Sequence, residues 1–212
     1  MSKENKMGFC TIYIARYGKT EWNLEKINQG QSESNISEIG LQQAKEASHK
    51  LKDVSFSAAY SSDLSMAYRS AEIIKGNRDI NIQKSKSLRG RSYGSFEGKK
   101  IEVYKEFFKA KLAERELLSE DEYISFRLAP DIETDEDITI RFMDKLREIS
   151  TNHLNESVLV VTHGGDIKNF LVKVGYIERK SLKEGSFIHG GYMKVLSDGN
   201  NFSVELMDGI GE

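Results

Sequence analysis

The longest aliphatic run that leads into polar chemistry is Val158-Leu-Val-Val161, which ends at His163-Gly164-Gly165. Such a run, bounded by turn residues, predicts a strand over 157–162 that is covered on both faces, as in the middle of a parallel sheet. Thr11-Ile-Tyr-Ile14 predicts a second buried strand, which runs into a turn carrying Arg16, Tyr17, Gly18, Thr20 and Asn23. Alternation around Phe56, Ala58 and Tyr60 predicts a third strand over 55–61, which ends in Ser61-Ser-Asp-Leu64. That turn feeds a helix through Ala67, Ala71, Ile73 and Ile74. A short strand is expected over 81–86. Helical spacing covers 35–52, with Ser37 as the N-cap, and then 101–118, 135–153 and 166–174. Strands over 187–196 and 202–207, joined by Ser197-Asp-Gly-Asn-Asn201, predict a closing β-hairpin.

Strand, polar turn and helix recur along the chain, and this order points to an α/β fold with a site at the carboxyl ends of its strands. The 212 residues, 38% of them apolar, are expected to form one domain over 1–212, with the helices of 101–153 as a cap above the sheet. A formal net charge of -2 gives no basic field, so nucleic acid and anionic membranes are excluded as expected partners. Cys10 is the only cysteine; no internal disulfide can form, and a reducing compartment fits. The polar stretch 1–8 has no apolar run behind it that would make a leader or a membrane span. Cytoplasm is the expected location, with secretion by signal-free routes left open. His49, His153 and His189 lack metal-ligand spacing, so no metal is expected.

Four motifs occur in one order: Arg16-x-Gly18 with Thr20 and Asn23, the Ser61-Ser-Asp-Leu64 turn, Leu88-Arg89 through Glu97-Gly98, and the strand ending in His163-Gly164-Gly165. Together they resemble the histidine phosphatase superfamily, also called phosphoglycerate mutase-like, and within it most closely the fructose bisphosphatase branch. The resemblance implies a three-layer α/β/α sandwich with a mostly parallel sheet, no cofactor and no metal. It also implies phosphoryl transfer to a histidine, which requires a grip on a dianion, an in-line imidazole and a proton donor. Arg16 corresponds to the first phosphate arginine. His163 corresponds to the second histidine, which stabilises charge on the transferring group. Thr20 and Asn23 correspond to further polar positions, either phosphate contacts or a helix-start cap.

Three positions depart from the family pattern. Tyr17 stands where the nucleophilic histidine belongs, and a phenol with a pKa near 10 makes a stable aryl ester rather than a labile phosphoimidazole. Met66 stands at the second phosphate arginine, and Gly90 at the glutamate that donates the proton. Arg69 could lean toward the site from one helical turn on, or remain a surface arginine, while Glu97 is expected to be structural. The expected protein is therefore a pseudophosphatase that binds a small phosphorylated ligand, phosphate or sulfate, or a protein partner. The alternatives are an active phosphatase in which His163 attacks directly or activates water, and a purely structural interaction module.

Overall fold

A computed structural model describes residues 8–181 and 187–210; most of the polar amino-terminal stretch read above lies outside them. Six strands form one sheet: β1 (Cys10–Arg16), β2 (Ala58–Ser62), β3 (Ile82–Ser85), β4 (Ser157–Thr162), β5 (Phe187–Ser197) and β6 (Phe202–Ile210). Their order is β3-β2-β4-β1-β5-β6. The first four are parallel, and the β5–β6 hairpin adds antiparallel to the edge of β1. The expected α/β sheet is therefore present, mostly parallel.

Alternation along the strands sorts side chains into two cores. Ile12 and Ile14 of β1 and Val158 and Val160 of β4 face one side, where α7 (Asp135–Asn152) supplies Phe142 and Leu146 and α8 (Gly164–Lys173) supplies Ile167 and Phe170. Ala15, Leu159 and Val161 face the other, against α2 (Glu38–Lys50) and α3 (Ser65–Lys75). Neighbouring strands β1 and β4 thus hand the chain to helices on opposite faces. A crevice opens at such a point, beyond the strands' carboxyl ends. Cys10 is fully buried at the start of β1, its thiol pushed up to about 12, chiefly by burial.

The region 101–153 divides in two. Its last helix, α7, is a layer of the sandwich, as its buried Ile138, Phe142 and Ile149 show. Its first part holds α4 (Ile101–Phe107), α5 (Lys109–Arg115) and α6 (Glu120–Ser125), of which α4 and α5 pack on a separate cluster of Phe96, Tyr104, Phe108, Leu128 and Ile132. The helix expected over 101–118 breaks at Phe108, whose buried ring packs on Tyr104 and Phe96. The sequence reading lacked α6 and a single helical turn after β1, α1 (Glu21–Leu24). Among the described residues, no helix is long and apolar enough to cross a membrane.

Candidate active site

The chain leaves β1 at Arg16 and turns tightly through Gly18. A Cβ on Gly18 would lie 2.1 Å from the carbonyl oxygen of Gly40, so only glycine lets this turn press on the first turn of α2. The Gly18 amide donates to the Ser70 hydroxyl on α3 at 3.0 Å, which fixes the turn from the other side. Thr20 then caps α1: its hydroxyl accepts from the Asn23 amide at 3.2 Å, and the Asn23 side chain accepts from the Thr20 amide at 3.1 Å. Thr20 is fully buried and its hydroxyl also reaches Gln29 at 2.7 Å, so it serves the cap.

Tyr17 is held inside this frame with 4% of its surface exposed. Its ring stands edge-on to His163 and to His189, with centroids 5.0 and 5.2 Å away. The side chains of Arg16 and Asn23 stand beside the phenol and favour its ionised form. Burial raises the phenol's pKa above its ordinary value, and Arg16 and Asn23 only partly oppose this, so the group is an un-ionised hydroxyl at neutral pH. Arg16 also donates to the Phe187 carbonyl, while its buried Nε has no partner. Arg16, which corresponds to the family's first phosphate arginine, therefore adjoins the tyrosine.

Met66 is 1% exposed and belongs to the same apolar cluster as Tyr17. An arginine there would set a charge among apolar side chains. Gly90 faces the ring of His163, since a Cβ built on it would lie 3.0 Å from Cγ and Nδ1. Tyr17 thus shares a cluster with Met66 and a ring contact with His163, the residue that Gly90 faces. Arg69 points outward and pairs with Glu72 at 3.1 Å, so it does not reach the site. Glu97 is structural: its carboxylate accepts from the Gln31 and Tyr93 amides and the Ser32 hydroxyl. Arg141 on α7 pins the Gly90 segment, donating to the carbonyls of Ser87, Arg89 and Gly90 while pairing with Glu133 at 3.0 Å.

His163 ends β4 and opens α8, where it is 6% exposed and its Nε2 has no partner. Burial, reinforced by Arg141 and Arg16, lowers its pKa to about 3, so the imidazole is neutral. Two residues absent from the sequence reading of the site complete its surroundings. Asp166 is fully buried, accepts the Thr162 hydroxyl at 2.7 Å and lies 3.9 Å from Arg141; burial raises its pKa to about 7. His189 meets the Tyr17 carbonyl through Nδ1 at 3.0 Å and is also lowered to about 3 by burial. A register shift between Phe187 and Tyr192 in the β5–β6 pairing aims it there. The sequence did carry a signal: His189-Gly-Gly191 repeats His163-Gly-Gly165. Among the described residues, no group of three His, Cys, Asp or Glu side chains could hold a metal.

The histidine phosphatase superfamily (branch 1) profile matches residues 12–208. The chain is 30% identical over 163 residues to the "uncharacterized phosphatase PhoE" of Bacillus subtilis, covering 77% of this chain and 76% of that one. It is 31% identical to a "metal-independent phosphoserine phosphatase" of Arabidopsis thaliana, covering 77% of this chain and 68% of the relative. Among solved structures, Bacillus stearothermophilus YhfR superposes with a TM-score of 0.81 at 27% identity, over 93% of this chain and 96% of that one. Motif order, strand topology and these matches agree, and the chain belongs to the histidine phosphatase superfamily.

Proposed function

We propose that this chain is a pseudophosphatase, a binding protein on a histidine phosphatase scaffold in which the phosphohistidine route is closed. One observation carries the reading: the buried ring of Tyr17 stands edge-on to His163 with its phenol beside the side chains of Arg16 and Asn23, so an internal group sits where an anion would. An un-ionised phenol is a poor nucleophile, the second arginine position is filled by buried Met66, and Gly90 offers no proton. Fold outlasts chemistry in this reading.

A second reading has one observation in its favour. The neutral His163 keeps Nε2 unpartnered, as an imidazole that attacked phosphorus directly would need. Its burial behind Tyr17 weighs against it. Turnover of p-nitrophenyl phosphate and phosphoserine separates the two. The pseudophosphatase reading expects no hydrolysis above a heat-inactivated control, whereas robust turnover abolished by His163→Ala would establish the second.

A further inference from the structure

A cavity of 680 Å³ opens beside Arg16, and α6 forms part of its wall through Glu120, Asp121, Tyr123 and Ile124. No residue of that helix is buried. Among the described residues, none of its side chains joins the apolar cluster beneath α4 and α5. A second cavity, of 480 Å³, shares Glu120, Val172 and Arg179 with the first and reaches on to Tyr176 and Ile177. The Glu120–Arg179 pair therefore stands between two hollows, and α6 has open space where a packed helix would have a core.

The Tyr123 ring lies between two guanidinium groups, that of Arg115 3.8 Å and that of Arg179 3.5 Å from its centroid. The two halves of this stack are held differently. Arg115 is buried on α5, donates through Nε to the Tyr123 carbonyl at 3.0 Å and pairs with Asp135, in the first turn of α7, at 2.6 Å. Arg179 comes from the chain after α8, and its ion pairs run to Glu120 at 3.0 Å and Glu116 at 3.4 Å, carboxylates more than half exposed. Pairs of that kind are weak and are screened by salt. A helix of six residues is not stable by itself, and one without a buried residue draws little from apolar packing. Elements attached in this way open before the core does.

We propose that α6 is a flap on the 680 Å³ cavity and that the Arg115–Tyr123–Arg179 stack is its latch, with Arg115 the fixed half and Arg179 the half that lets go. Opening joins the two hollows on the side of Glu120, so the latch sets how bulky a molecule enters. The flap does not depend on the reading of Tyr17, because it governs access whether or not the reaction centre turns over.

Thiol labelling of the full chain tests it. Cys10 is fully buried with its thiol pushed up to about 12, so a cysteine introduced by Thr139→Cys, in the cavity wall on α7, is the one that reacts. Iodoacetamide serves as the small reagent and fluorescein maleimide as the bulky one. Adding Arg179→Ala should raise the ratio of bulky to small labelling rates at least tenfold, and raising the salt should move the ratio the same way while Arg179 is present. A changed reactivity of the thiol itself would alter both rates and cancel in the ratio. Arg69→Ala, which removes an exposed arginine paired with Glu72, should leave the ratio within twofold. Hydrogen exchange should quicken over 119–126 in Arg179→Ala and stay unchanged over 138–149, which also reports that the variant is folded. A ratio that Arg179→Ala leaves within twofold overturns the flap, as does exchange that quickens equally in both segments.

Discussion

Two adjoining spaces share Arg16 and differ in nearly everything else. Around Tyr17 the packing is largely apolar: Met66 and Ala15 lie in its cluster, His163 and His189 are held uncharged, and Arg16 is the cation beside the phenol. In the cavity of 680 Å³ between α4–α6, the start of α7 and α8, arginines and lysines line an open volume beside tyrosines. Chemistry of the family's kind needs the first space to be charged and empty.

The largest expected effect comes from reopening the closed space. Tyr17→His, Met66→Arg and Gly90→Glu together should raise phosphomonoester turnover by roughly a thousandfold over the wild type, the scale of a restored acid and charge clamp. Tyr17→His alone should give less than about tenfold, because the glycine and methionine positions still lack their groups. Since a Cβ at 90 sits 3.0 Å from the His163 ring, the glutamate is accommodated only when that ring moves by a few tenths of an ångström. Steady-state kinetics of the single and triple variants would read the difference; equal rates would break the comparison.

A smaller effect concerns protons held by the closed space. His163 and His189, lowered to about 3, stay neutral where the unfolded chain protonates them, so their contribution is present above pH 6.5 and is lost as pH falls toward 3. Asp166, raised to about 7, acts oppositely: its contribution is present below the unfolded carboxylate value and is lost as pH rises toward 7. Between pH 4.5 and 6 the two histidines outweigh the one carboxyl group. Asp166→Asn should then steepen the rise of stability with pH by about one proton, or about 1.4 kcal/mol per pH unit. Urea unfolding across that window measures it, and an unchanged slope would show that Asp166 is ionised in the native state.

The smallest effect isolates one oxygen. Tyr17→Phe keeps the ring between its histidines and removes the hydroxyl beside Arg16 and Asn23, which should cost about 1 kcal/mol of folding stability. Added phosphate should recover part of that loss if the vacated corner accepts an anion. Thermal melts with and without phosphate read both quantities.

Much of the sheet was legible because its strands are short apolar runs that end in polar turns, and Val158–Val161 could hardly be anything else. Ser37 was found as a cap by its place before an amphipathic helix, and it accepts from the Gly40 amide at 3.1 Å. The break at Phe108 was hidden, since helical spacing continues through it and only packing against Tyr104 and Phe96 decides the bend. The α6 start was written as Ser119-x-x-Glu122, a capping box, but the polar stretch around it masked the helix. At the site, Arg16, Tyr17 and His163 lie beside one another. His189 and Asp166 were missed for a different reason: one arrives through a register shift in a distant hairpin, and the other carries a charge type that seldom lies in a core.

The plug is tested most directly by a crystal structure of the protein grown or soaked in concentrated phosphate. The expected density shows the Tyr17 hydroxyl on Arg16 and Asn23, with no anion between Arg16 and His163. A phosphate bound there, with the tyrosine turned out of the pocket, would contradict it.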